Sequence, residues 1–243
     1  MKEILRKILL IICVCVFVYS AFQLVKIFLN YRNIEEKSEA LVEQYVINSE
    51  GSDNPLKRKI DFVGLLKKNS DVIGWLYIPD TKIDEPILKG NNNDTYLRRD
   101  IDKASNSAGS VFIDEMNNKD FKDDNTIIYG HNMRNGSRFH DLRYYVESDF
   151  YKAHHLIYIY LPNNTVNVYD TYSASVIKAD SHLYQKGINY KSYVKKAQSI
   201  GKQTSKVSDK QNPMILLSTC YDRGSVDRFV VFARLDKNVK IGE

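Results

Sequence analysis

MILLSTCYDRGSVDRFVVFARL, residues 214–235, reads as two apolar strands separated by a polar loop. Met214–Thr219 is a run of large aliphatic residues passing into Ser and Thr. Arg228–Leu235 is rich in Val and Phe, and both compositions suit a pleated, buried segment. The intervening YDRGSVD carries the Asp, Gly and Ser of a turn. Two adjacent strands joined in this way bring Cys220, at the end of the first, close to Arg228, at the start of the second. A strand end is a rigid place from which to present a nucleophile.

Working outward, the same texture recurs. Strand candidates are Gly74–Ile78, Ile83–Leu88, Gly109–Ile113, Thr126–Tyr129, Leu156–Leu161 and Thr165–Val176. Asn163-Asn164, between two Tyr/Val/Ile-rich runs, reads as a hairpin turn. Residues 138–150 and 189–200 have a more helical spacing. Ahead of the strands, Ile60, Val63 and Leu66 recur at helical spacing in a segment ending near Asn69. Seven or eight short strands with few helices predict a mostly β domain, a closed barrel or a sandwich. No internal repeat or low-complexity tract is present.

The first thirty residues differ from the rest. Ile8 to Val25, ILLIICVCVFVYSAFQLV, contains no charge. As a helix it spans roughly 27 Å, against roughly 30 Å for a bilayer's hydrocarbon core. Lys2, Arg6 and Lys7 precede it, and the positive-inside bias keeps that end in the cytoplasm. Ser20-Ala21 offers small residues for cleavage, but no A-x-A site follows, so a retained anchor is expected. The expected organisation is a cytoplasmic terminus at 1–7, a transmembrane anchor at 8–29, a juxtamembrane helix and linker at 30–56, and a globular domain at 57–243, to which the catalytic candidates below belong. The formal charge of +5 divides unevenly, with +3 in residues 1–30 and +2 in the remainder. The exported part therefore has no nucleic-acid footprint.

Of three cysteines, Cys13 and Cys15 lie in the apolar helix, leaving Cys220 alone in the exported part. A lone thiol in an oxidising compartment is an intermolecular cross-link, a buried inert side chain or a nucleophile. A thiolate needs a proton partner, and His131 is the candidate: it follows the strand TIIY through Gly130, whose freedom suits a tight exit from the strand. Thiolate attack on a peptide carbonyl, imidazolium protonation of the leaving amine and guanidinium stabilisation of the oxyanion would make a complete covalent mechanism. The adjacent pair His154-His155 has no Cys or carboxylate cluster to complete a metal site, and surface histidines are expected. Arg223, beside Gly224, reads as a solvated loop charge.

Leu217-Ser218-Thr219-Cys220, a short loop, then Arg228 opening a Val/Phe strand resembles the active-site signature of sortases. Tyr129-Gly130-His131 is similar to the family's histidine strand end. GWLYIPDTKIDEPILKG, residues 74–90, resembles its first strands, and Asn93 and Leu97 in NNNDTYLRRD also fit. The resemblance covers roughly residues 57–236 and points to class B. One departure is Leu216, where the family usually has threonine.

The resemblance implies a closed sortase-type β-barrel of about eight strands, with N-terminal helices and a few short ones. Cys220 would be the nucleophile, His131 the general acid and Arg228 the oxyanion or substrate clamp. Asn93, Leu97, Tyr129, Ser218 and Thr219 would line the sorting-signal groove, with Asp222 a supporting acid. No metal or other cofactor is implied. The partners would be surface proteins bearing a C-terminal Pro-x-Thr-type signal and a peptidoglycan or lipid-linked precursor amine. The enzyme would be a single-pass membrane protein of a Gram-positive bacterium, with its catalytic domain outside. Two other functions remain open: a membrane-anchored cysteine peptidase that uses water, and a non-catalytic peptide-binding module.

Overall fold

The computed structural model describes residues 2–47, 54–220 and 225–241. The chain divides into two compact units, Met1–Ala40 and Leu41–Glu243. Helix α1 runs without a break from Lys2 to Tyr45, 44 residues, so the apolar span and the juxtamembrane segment are one helix. It is long and apolar enough to cross a membrane, with a mean hydropathy of 2.7 in its most apolar window.

In the second unit, β1 (Val46–Ile47) pairs with β2 (Lys59–Ile60), and α2 (Phe62–Lys68) follows. Asp61 caps α2, its side chain accepting from the Gly64 N–H at 2.9 Å. This cap corrects the expected apolar face. Ile60 lies before the helix, Phe62 and Leu65 are buried, and Val63 is 68% exposed. Full burial of Leu65 contributes roughly 1.5–3 kcal/mol.

Eight strands then form a closed barrel: β3 (Val72–Tyr77), β4 (Asp84–Leu88), β5 (Val111–Ile113), β6 (Thr126–Tyr129), β7 (Leu156–Leu161), β8 (Thr165–Lys178), β10 (Met214–Cys220) and β11 (Asp227–Lys240). The two-residue β9 (Gln203–Thr204) hangs on β8. The order is β11-β10-β6-β5-β4-β3-β7-β8, and β11 closes on β8. β4–β5 and β6–β10 are parallel, the other pairs antiparallel. The expected β7–β8 hairpin forms through Pro162, Asn163 and Asn164, and Asn164 takes φ +63°.

Alternate residues of each strand fill different cores. Ile83, Ile87, Ile128, Ile215, Leu217 and Val231 pack inside the barrel. Trp75, Leu88, Tyr158 and Tyr160 face outward beneath Phe62, Leu65 and Tyr45. Ile127, Leu216, Val230 and Phe232 face outward beneath α4 (Tyr190–Ser199). α4 buries Tyr190, Tyr193, Val194 and Ala197, a helical stripe. Burial on both faces explains why MILL reads as a continuous apolar run. The short helical expectation near 138–150 resolves into a 3₁₀ segment, His140–Val146, and α3 (Ser148–Ala153). His154 and His155 lie between α3 and β7, not on a strand. Their Nδ1 atoms contact Pro79 O at 3.0 Å and Asp170 Oδ1 at 2.9 Å.

Candidate active site

The strand register brings the three principal candidates together. β10 and β6 run parallel, with Ser218 opposite Tyr129. Gly130 extends the ladder, its N–H donating to Ser218 O at 3.2 Å. Cys220 lies two residues past the Ser218–Tyr129 pair along β10, and His131 two residues past it on the β6 side. On the other side of β10, Cys220 is the direct antiparallel partner of Arg228. Thus Cys220 ends a strand flanked on one side by β6, which leads into His131, and on the other by β11, where its partner is Arg228. Asp222 and Arg223 fall outside the described residues.

Gly130 is required by packing. A Cβ there would come within 2.6 Å of the Phe139 ring, so close approach of an aromatic side chain, rather than an unusual backbone turn, explains the glycine. The half-buried His131 is held from two sides. Its carbonyl accepts from Phe139 N at 2.9 Å, and its Nε2 lies 2.7 Å from Leu97 O. A carbonyl can only accept, so Nε2 carries the proton of this bond and Nδ1 is the nitrogen left to exchange one. Burial first, then the charges of Arg98 and Arg138, hold the imidazole below its ordinary pKa, while the bond to Leu97 opposes them.

Arg228 is half-buried, and its Nη1 donates to Ser225 O at 2.7 Å and Asp227 O at 2.9 Å. Tyr129 is linked to it electrostatically. Burial and the Asp114 carboxylate push the Tyr129 phenol well above its usual range, and the Arg228 charge works in the opposite direction. The Tyr129 hydroxyl donates to Asp114 Oδ2 at 3.0 Å.

Asp114 is a residue the sequence reading missed. The same Oδ2 accepts from Asn93 Nδ2 at 3.0 Å, while Asn93 Oδ1 accepts from Glu115 N at 2.8 Å. Asn93 is therefore committed at both ends of its amide, and Asp114 joins it to Tyr129. Tyr184 was missed as well: its ring stacks on Tyr129 at 6.3 Å between centroids, and its hydroxyl shares a 2.8 Å hydrogen bond with Ser218 Oγ. Asp114 directly follows the VFI strand, so its strand-end position was a usable signal; Tyr184 ends a single 3₁₀ turn, His182–Tyr184, too short to show a period. Leu97 has an exposed side chain at 36%, and its carbonyl is what meets His131. Thr219 is set apart from this group. Strand alternation places it on the interior side with Ile215 and Leu217, 2% exposed, with Oγ1 lacking a hydrogen-bond partner among the described residues.

The sequence matches the Sortase domain family over residues 76–236. It is 38% identical over 184 residues to Sortase B of Listeria monocytogenes, covering 70% of this chain and 72% of that one. To Sortase B of Staphylococcus aureus it is 27% identical over 221 residues, covering 86% and 84%. The crystal structure of sortase B from Bacillus anthracis in complex with AAEK1 superposes with a TM-score of 0.70 at 25% identity, over 88% of this chain and 99% of that one. The chain belongs to the sortase family, in its class B. It is accordingly a transpeptidase, of a family that acts in general on surface proteins and a cell-wall acceptor.

Proposed function

We propose that this enzyme cleaves a C-terminal Pro-x-Thr-type sorting signal through a thioester on Cys220 and transfers the acyl group to a peptidoglycan amine. The observation that carries this reading is the strand arrangement around β10, in which Cys220 pairs with Arg228 on β11 and follows the Ser218–Tyr129 pair by two residues, as His131 does on the β6 side. The Cys220 thiolate attacks the signal's threonine carbonyl, and the Arg228 guanidinium faces the developing oxyanion. The His131 imidazolium then gives its proton to the departing amine as the C–N bond breaks, leaving the thioester. In the second half the acceptor amine attacks the thioester, His131 takes its proton, and the thiolate leaves.

The lowered pKa of His131 makes its imidazolium a minor species near neutral pH. The active pairing of thiolate with imidazolium is then a small fraction of the enzyme, and kcat/KM should follow a bell in pH. Tyr129, Ser218, Leu97 and Asn93 would border the groove, with Tyr184 and Asp114 fixing Tyr129; the interior placement of Thr219 argues against contact with the signal. The anchor would be residues 8–29 of α1. Lys2, Arg6 and Lys7 would be on the cytoplasmic side and the catalytic domain, 57–243, outside.

The test uses the full chain in detergent micelles with a panel of fluorogenic Pro-x-Thr peptides, with and without an added amine. Cleavage lost in Cys220→Ala and His131→Ala, with amine incorporated into the product, is expected. Activity surviving Cys220→Ala would remove the mechanism. Cysteine-dependent cleavage that yields only acid with every amine offered would favour the peptidase.

A further inference from the structure

Arg138 is a buried cation, 5% exposed, that the mechanism above does not use. Its backbone takes φ +59°, a conformation a non-glycine residue keeps only where its surroundings hold it. Three contacts do so. Its Nη1 is paired with Glu85 Oε2 on β4, both side chains being 6% exposed. Its Nε donates to Gly109 O at 3.1 Å and Ala108 O at 3.4 Å. Its backbone forms an antiparallel bridge with Asn132, the neighbour of His131.

The 108–109 turn leads back to the imidazole. Ser110 N donates to Tyr96 O at 3.0 Å, and Gly109, at φ +53°, lies so close beneath Leu97 that a Cβ would come within 2.5 Å of Leu97 O. That oxygen is the one that meets His131 Nε2. A closed ring therefore runs from His131 through Leu97, Gly109, Arg138 and Asn132 back to His131, and Glu85 fastens it to the barrel wall. A general acid must aim its proton within a fraction of an ångström, and such aim comes from groups that lock its ring.

We propose that Arg138, anchored on Glu85, is a positioning residue that fixes His131 by joining its loop to the turn behind its carbonyl partner. This rests on the reading of His131 as the general acid. The pair acts on the reaction through His131.

The test uses the full chain in detergent micelles and the double variant Glu85→Leu/Arg138→Met. Both charges are removed together because either alone leaves a buried ion without its partner, whereas an apolar replacement of the whole pair is commonly tolerated. The readouts are thermal melting, the exchange protection of the His131 Nε2–H resonance by NMR, and kcat and KM for peptide cleavage. A folded double variant should lose that protection and lose about tenfold or more in kcat, with KM little changed. Wild-type protection and kcat in the folded double variant would overturn the proposal. Should the double variant not fold, Arg138→Lys carries the same test, since it keeps a cation beside Glu85 and removes the Nε bonds. His131→Asn separates the two readings: activity retained there sinks the general-acid assignment, while NMR protection compared between the wild type and the Glu85→Leu/Arg138→Met variant still reports on whether Arg138 holds the ring.

Discussion

Asp84 and Glu85 are consecutive residues of β4, and each holds a buried arginine, on opposite faces of the strand. Glu85 alternates inward with Ile83 and Ile87 and takes Arg138. Asp84 faces outward and takes Arg58 through both carboxylate oxygens, at 2.7 and 2.6 Å. The outer tie is shared: Trp75 Nε1 also donates to Asp84 at 2.6 Å, and the Arg58 guanidinium lies 4.1 Å over the Tyr77 ring. Tyr160 adds a bond to Pro55 O at 2.8 Å. The inner tie includes one carboxylate and two carbonyls among the described residues. Similar chemistry thus serves two ends: the outer pair straps the segment before α2 to the barrel, while the inner pair, on our proposal, aims a catalytic side chain.

The largest expected effect is on the inner tie. Arg138→Met strands the Glu85 carboxylate in the barrel, and loss of one partner of a buried pair costs about 3–5 kcal/mol. Urea denaturation would measure it. Arg58→Met should cost less, about 1.5–3 kcal/mol, because the Asp84 side chain is 20% exposed and keeps its bond from Trp75. Its kcat should stay at the wild-type value wherever the protein is folded. If folded Arg58→Met lost kcat as the Glu85→Leu/Arg138→Met variant is expected to, the division of labour between the two ties would be wrong.

Neither tie was legible in the sequence, and the reason is physical. The strands were readable because their alternation is local: Thr126–Tyr129 and Leu156–Leu161 were expected at the boundaries observed. The Cys220–Arg228 pairing was readable because a short loop joins their strands. By contrast, Glu85 and Arg138 are 53 residues apart, and nothing near either one signals the other. Asp114 was hidden in the same way, since its partners Asn93 and Tyr129 lie on different segments. The α2 error came from reading a period without its cap: once Asp61 starts the helix, the buried phase moves from Ile60, Val63 and Leu66 to Phe62 and Leu65. The strand ahead of Gly130-His131 ends at Tyr129 as expected, but the need for glycine comes from Phe139, nine residues on.

That glycine offers an intermediate perturbation. In Gly130→Ala the new methyl meets the Phe139 ring at 2.6 Å, and overpacking of this kind costs typically about 1–3 kcal/mol. The ring or the strand end must shift, and Phe139 N is bonded to His131 O. The expected result is a modest loss of stability with a drop in kcat, measured by urea denaturation and peptide cleavage. A stability loss with unchanged kcat would show that His131 is held by the Arg138 side of its loop alone.

The smallest effect is on the pH dependence of folding. Burial is the leading reason that His131 and His140 both sit below the ordinary imidazole pKa; Arg98 and Arg138 add to it for His131, and Arg143 for His140. Between the lowered folded values and the ordinary unfolded one, the unfolded chain binds more protons. Stability should therefore fall as pH drops through the ordinary imidazole value, and the loss should level off below the folded values, where both states are protonated. Urea denaturation across this range would show the slope, and His131→Asn should remove part of it. The two ties then separate once more. Replacing Arg138 together with Glu85 takes a cation away from His131 and should shrink its share of the slope, whereas Arg58→Met, on the outer face, should leave it unchanged. Equal slopes in all three proteins would mean that Arg138 bears on His131 through neither charge nor position.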